Sequence, residues 1–287
     1  MRALMLLVAV SFLGPSLRAQ TPTMPSTLRY GSGLMDIPVS SVLPHRQITG
    51  TFSGFFSQIG QRVEIDETGQ PSGYGPGRDD FFTDGSFAIG LYDLAEAGIT
   101  MQSLAGADDG GNVWGLFGRV RLWEPVDQGL GFAVGGRYLT SPTFGDDVVY
   151  APGRLGFADD RLREGYTGVR GIHSNVSMYA VATAYLRGYD GGVLPENDMT
   201  FSAGYGGGMF SEGGELDFYS DGHANGWFFG TALHVGMGQR SQLTVMAEHN
   251  GFDINLGAQY EWAGVRVGVQ YLAANHEWPT AGHASEY

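Results

Sequence analysis

Three groups of residues in this chain have types and spacings that could do chemistry. His173-Ser174 places a histidine beside a serine, the pair that acyl transfer uses in barrel enzymes that deacylate lipids. Asp217, Asp221 and His223 lie in a Gly- and Ser-rich stretch and could hold a cation. The largest group is charged: Arg119, Arg121, Arg137 and Arg266, with Glu96, Glu248, Asp253 and Glu261, all on the wet parity of segments whose other parity is oily. Neighbouring residues in a strand point to opposite faces, so the His173 and Ser174 side chains diverge, and no third orienting group stands at a recognisable spacing. The Asp217, Asp221 and His223 spacing matches no metal-binding loop, and a solvated acidic loop is the simpler reading. No catalytic residue, metal or cofactor is therefore expected. Charges that point into a closed sheet either line a path that filters a polar solute or pair with one another and fill the space. Pairing is the expectation, with the arginines meeting inward carboxylates such as Glu248 and Glu261.

The elements that must position these charges are two-faced strands. From Phe252 to Trp262, Phe252, Ile254, Leu256, Ala258, Tyr260 and Trp262 alternate with Asp253, Asn255, Gly257, Gln259 and Glu261. About eleven residues at ~3.3 Å each, tilted ~45°, span roughly 25 Å, the height of the apolar band on an outer-membrane barrel. The pattern recurs. Trp114, Leu116, Val120 and Leu122 oppose Phe117, Arg119 and Arg121; Phe132, Val134 and Tyr138 oppose Ala133 and Arg137; Val265, Val267, Val269 and Tyr271 oppose Arg266 and Gln270. Similar alternation runs through Asn175 to Leu186 and Met199 to Gly206, giving about eleven segments between Arg46 and Ala274. Val148 to Phe157 is a candidate for one more.

The links also alternate. Short ones fall at Asp93 to Ala95, Glu124 to Gln128, Gly238 to Ser241, His249 to Gly251 and Ala263 to Gly264. Long ones run from Gly60 to Gly85, Ser141 to His173 and Ser211 to Ala224. Outer-membrane barrels pair short periplasmic turns with long outer loops. Aromatics at strand ends suit an interfacial girdle: Phe81, Phe82, Trp123, Tyr138, Trp227, Phe228, Phe229, Tyr260, Trp262 and Trp278.

Composition bounds the class. The 47 glycines among 287 residues exceed twice the usual share of about 7%, and many fall inside the strands, where curvature or a crowded interior calls for them. With no cysteine, the chain has no disulfide and no thiolate metal site. A net charge of −14 argues against a nucleic-acid partner, since phosphate neutralisation needs a basic surface. Arg2, the apolar run Leu4 to Leu13 and Leu17-Arg18-Ala19 read as a secretory signal peptide over residues 1–20. Beyond it no stretch approaches the roughly 18 apolar residues of a membrane helix, so a membrane crossing would be made by strands. Residues 21–45, with Pro22, Pro25, Pro38 and Pro44, read as an N-terminal extension that stays in the periplasm or tucks into the lumen.

Gly33-Leu34-Met35-Asp36-Ile37-Pro38, followed by Val42-Leu43-Pro44, resembles the G-L-[ILM]-D-[IM]-P … P opening of the YjbH-like outer-membrane β-barrel proteins, a family tied to exopolysaccharide production. Gly90 to Ile99 is also similar, as is Ala247 to Gly257, which matches the family's E-[YH]-[DN]-G-x-D-[IV]-N-x-G turn. The three stretches touch about a sixth of the chain. Larger members are much longer, and some carry a lipoprotein cysteine that this chain lacks. The resemblance implies an outer-membrane barrel and a role in polysaccharide production, and it assigns no catalytic residue.

The expectation is an all-β protein: a closed antiparallel up-and-down transmembrane β-barrel of about 12 strands over residues 46–287, in a Gram-negative outer membrane. Its function is read as non-enzymatic, porin-like or envelope-structural, with a role in exopolysaccharide export. Its expected partners are outer-membrane lipid, the barrel-assembly machinery and polysaccharide. A barrel enzyme acting on envelope lipid and a secreted soluble β-protein are the alternatives.

Overall fold

A computed structural model describes residues 5–12, 27, 30–59, 63–65, 71–74, 78–103, 112–124, 129–139, 176–186, 197–212, 225–238, 240–251, 254–271 and 274. The strands are β1 (Met5–Phe12), β2 (Ile48–Ile59), β3 (Val63–Ile65), β4 (Pro71–Tyr74), β5 (Arg78–Leu91), β6 (Ala95–Ser103), β7 (Asn112–Trp123), β8 (Leu130–Leu139), β9 (Val176–Leu186), β10 (Asn197–Gly206), β11 (Trp227–Gly238), β12 (Ser241–His249), β13 (Ile254–Trp262) and β14 (Val265–Tyr271). One four-residue helical turn, α1 (Met209–Glu212), is the helix among the described residues.

Eleven strands, β2 and β5 to β14, form one antiparallel up-and-down sheet in which each strand pairs with the next in sequence. β3 and β4 make a separate small hairpin. Because eleven strands alternate in direction, β2 and β14 run the same way. The backbone of β1 lies antiparallel to both, with Val8 opposite Val267 on one side and Phe52 on the other. The apolar run expected to be a leader is thus extended, along the seam between the first and last strands.

The strands leave two unlike rims. At one, Tyr92 to Leu94 and Ala263-Gly264 make tight turns; at the other lie the long links that contain the β3–β4 hairpin and α1. The link expected from Gly60 to Gly85 is shorter than that reading, because the β2–β5 ladder continues to Ile59 and Arg78. Aspartates and glycines at Asp79, Asp80, Asp84 and Gly85 hid a strand whose inner face is polar. Asp253, Val148 to Phe157, His173-Ser174, and Asp217, Asp221 and His223 lie outside the described residues.

Burial follows strand parity, but with the usual polarity reversed. Trp114, Leu116, Phe132, Met178, Phe201, Trp262 and Val267 face outward, exposed, while Thr51, Ser53, Ser86, Thr100, Thr183, Thr200, Asn255 and Gln259 are buried on the inner face. Trp123, Tyr138, Trp227, Phe229, Tyr260 and Trp262 are exposed near strand ends. Phe228 departs from that expected girdle: it is fully buried, because its place between Trp227 and Phe229 turns it inward.

The β13–β14 hairpin shows how local chemistry fixes register. Trp262 pairs with Val265 across Ala263 and Gly264, whose φ values of 49° and 88° are both left-handed. Such two-residue turns match the twist of the strands they join, and glycine or asparagine fits them best. Ala263→Asn should therefore stabilise the fold by a few tenths to about 1 kcal/mol, and Gly264→Val should destabilise it, as read from the midpoint of urea unfolding.

Candidate functional site

The interior is occupied by the chain's own N-terminal extension. Tyr30, Leu34, Met35, Ile37, Val39 and Leu43 are all buried. Gly33 and Pro38 form a bridge and the Leu34 N–H donates to the Ile37 carbonyl at 3.0 Å, so Leu-Met-Asp-Ile is the tip of a tight hairpin. Proline at 38 suits the place where this hairpin turns back, since its fixed φ limits the alternatives. Of the two locations open to the extension, its described part takes the interior.

Glu248 holds the tip. Its carboxylate accepts the N–H groups of Met35 at 2.9 Å, Asp36 at 2.8 Å and Ile37 at 3.3 Å, and the Asn255 side-chain amide at 3.0 Å. A turn buried in a sheet's interior has backbone donors that the ladder cannot satisfy, and the one Glu248 side chain accepts three of them here. Asn250 donates to the Asp36 carboxylate at 3.2 Å, and the Arg137 guanidinium donates to the Asp36 carbonyl at 2.8 Å. Gly230 leaves the room: a Cβ there would lie 2.7 Å from Leu34 Cδ1 and 2.9 Å from Ile37 Cδ1.

Glu96, on β6, holds the other end. It accepts the Ser32 N–H at 3.1 Å, the Ser32 hydroxyl at 2.9 Å and the Leu43 N–H at 3.0 Å, and it pairs with Arg119. Arg119 in turn donates to the Val39 carbonyl at 2.6 Å and the Ser32 carbonyl at 2.7 Å. Between the two ends, Ser40 donates its N–H to Thr183, and Ser202 donates to the Pro38 carbonyl. At the tight-turn rim the segment leaves the interior through Pro44 and His45. There the His45 N–H donates to Asp93 at 2.7 Å, Tyr92 donates its N–H to His45 Nδ1, and the two rings stack at 5.0 Å.

Apolar contacts complete the fit. Leu34, Met35, Ile37 and Val39 join Ala133, Tyr179, Val181, Phe210, Phe228, Ala232 and Met246 in one buried cluster. Phe210 comes from α1, so the long-link rim contributes to the same cluster as the extension. The Arg137 guanidinium lies 3.9 Å from the Tyr30 ring centroid and within 5.6 Å of Tyr179 and Phe210, where a cation gains from ring faces.

The charged residues read from parity therefore act mostly on the extension rather than on one another. Arg119 pairs with Glu96, and Arg266 with Glu261 at 2.9 Å. Glu248, expected to meet an arginine, instead takes backbone N–H groups. Arg137 finds rings and a carbonyl. Arg121 does not reach the interior network: it sits half-buried at the tight-turn rim, on Glu124 at 2.7 Å and the Asp93 carbonyl, because it lies two residues from the end of β7. Sequence reasoning missed Asn250, Asn255, Thr183 and Ser202, whose polar types on the inner parity were the available signal. It also missed His234, which sits between Thr200 at 2.9 Å and Thr244 at 3.1 Å. Among the described residues no cluster of histidine and carboxylate side chains could hold a metal ion.

The chain matches no protein-family model, no curated protein and no solved structure. Gly33 to Pro38 touches Glu248 and Asn250, and Ser32 and Leu43 touch Glu96.

Two arginines on the same strand now have opposite expectations. Arg119→Ala leaves a buried Glu96 carboxylate without its cation and should cost about 3–5 kcal/mol in a urea unfolding curve. Arg121→Ala removes a half-exposed pair and should cost no more than about 1 kcal/mol. Equal losses would contradict the placement of the two side chains.

Proposed function

We propose that this chain is a non-enzymatic outer-membrane β-barrel, plugged by its own N-terminal extension, that acts as a porin-like or envelope-structural protein and assists exopolysaccharide export. The observation that carries the membrane reading is the reversed polarity of the sheet. Leu116, Met178, Phe52 and Phe87 are exposed, each more than half, while serines, threonines and charged pairs are buried behind them. A soluble protein would bury the first set and expose the second; lipid outside and a polar lumen inside reward this arrangement. No helix among the described residues is long and apolar enough to cross a membrane, so strands would make the crossing.

In lipid the sheet must close, because a free edge would leave backbone groups with no partner. Twelve strands close it while Met5–Phe12 holds the seam between β2 and β14. If the leader over residues 1–20 is removed, eleven remain, and β2 and β14 meet in parallel. A barrel of this size encloses more space than wall side chains fill alone, which accounts for a plug. The polysaccharide role rests on the resemblance.

Fractionation with the outer membrane, together with gel mobility that changes on heating, tests the reading. Recovery as a soluble protein of unchanging mobility would refute it. On the purified barrel, Leu256→Arg, on the exposed parity, should cost about 2–4 kcal/mol near the midplane, while Gln259→Arg, on the inner parity, should be milder. Equal penalties would argue against lipid contact.

Topology gives a separate test. If the long links face outward, an epitope tag inserted near Gly73 should be reached by antibody on intact cells and one near Arg240 should not. The reverse pattern would invert the orientation.

A further inference from the structure

Building on the plugged-barrel reading, we propose that the Tyr30–Leu43 plug is a displaceable gate, and that the lumen it vacates passes small uncharged hydrophilic solutes. Three features of the contact point this way. The first is the chemistry of the anchors. A permanent filler is most stable when apolar, since burying charge costs desolvation. Here the plug is instead held at its two ends by the carboxylates of Glu96 and Glu248 and by the guanidiniums of Arg119 and Arg137, all buried. With the plug in place these groups are desolvated; with it out they regain water. The two states are thereby brought closer in energy than an apolar plug would allow.

The second feature is the route. The plug is a hairpin whose trailing end leaves at the tight-turn rim, where His45 contacts Asp93 and Tyr92 and the following Arg46 and Gln47 pair with the Gly90 backbone as the lead into β2. It can withdraw through that rim without unpairing a barrel strand. The third feature is the wall it leaves behind. Hydroxyl and amide groups of Thr51, Ser53, Thr183, Ser202, Asn255 and Gln259 face inward. The wall carries both signs: Glu96, Glu248, Asp84, Glu261 and Asp198 stand with Arg119, Arg137 and Arg266 (Glu261 and Asp198 half-buried). A wall that mixes both signs excludes neither ion outright, and an uncharged solute finds hydroxyl and amide donors and acceptors beside the apolar patch of Tyr179, Val181 and Phe228.

The absence of native cysteine makes the test clean. A Cβ at Gly131, on β8, would stand 3.3 Å from Ser40 Cβ, close to disulfide reach, so the full-length pair Ser40→Cys with Gly131→Cys should lock the plug to the wall when oxidised. A second lock at the tip pairs Met35→Cys with Gly257→Cys, where a Cβ at 257 would lie 3.3 Å from Met35 Cγ. Each protein is reconstituted into liposomes and swelling is followed in erythritol and in raffinose, with Glu248→Gln in the same background to weaken the tip. Reduced protein should admit erythritol, Glu248→Gln should raise the rate severalfold, and oxidation of either pair should abolish it reversibly. Insertion into liposomes with no swelling in any reduced form, or equal swelling with and without the lock, would overturn the gate and leave the barrel standing. Failure of the unmodified protein to insert at all would overturn both.

Discussion

A hairpin turn placed inside a sheet has no neighbours to take its backbone N–H groups, and in this protein one carboxylate takes three of them. Glu248 on β12 accepts Met35, Asp36 and Ile37 together, and Asn255 on β13 steadies it. Six strands away along the sheet, Glu96 on β6 does the same for Ser32 and Leu43. These two acceptors fix where the extension lies across the interior. The rest of the inner face is arranged around that position: Arg119 neutralises one carboxylate and holds the carbonyls of Ser32 and Val39, and Gly230 clears space beneath Leu34 and Ile37. Remove the extension, and several charged groups lose the partners that make their burial tolerable.

Apolar packing and polar anchoring divide the work differently. The cluster of Leu34, Met35, Ile37 and Val39 with Tyr179, Phe210 and Phe228 is non-directional and would tolerate sliding. The hydrogen bonds to Glu96 and Glu248 are directional, and they choose one register from many. Burial draws the extension in; the carboxylates decide which residue sits where. This explains why the inner face combines a greasy patch toward the long-link rim with ion pairs elsewhere, a mixture that neither a dry core nor an open water-filled channel would need.

Much of the architecture was legible in the sequence because strand parity is a local signal. Trp114 to Leu122 and Val265 to Tyr271 alternate so regularly that their exposed and buried faces could be named residue by residue, and the structure shows the same faces. β5 was only half legible, since Asp79, Asp80, Asp84 and Gly85 are residues that a turn would also use. The polar partners of the inner charges were legible only in part: Glu261 meets an arginine as expected, Arg266, while Glu248 does not. Parity says that Glu248 points inward; it does not say that a segment more than two hundred positions earlier in the chain will be there to meet it. The length of the chain between Asp36 and Glu248 removes any spacing rule that could link them.

What could have linked them is the oddity of the extension itself. Leu34-Met35-Asp36-Ile37-Pro38 is too apolar to prefer water and too short and proline-broken to add a strand, so its burial needs a cavity that the rest of the chain provides. Around it, the inner face carries glycine where a side chain would collide with the tip, and carboxylates where the tip has spare N–H groups. Glycine alone fits many explanations, and so does an inward glutamate. Their coincidence at Gly230 and Glu248, which face each other across the β11–β12 ladder, is specific to an occupied interior. The inner parity is thus better understood as the complement of a particular peptide than as the lining of an empty tube, and its charges are placed by that peptide's backbone more than by one another.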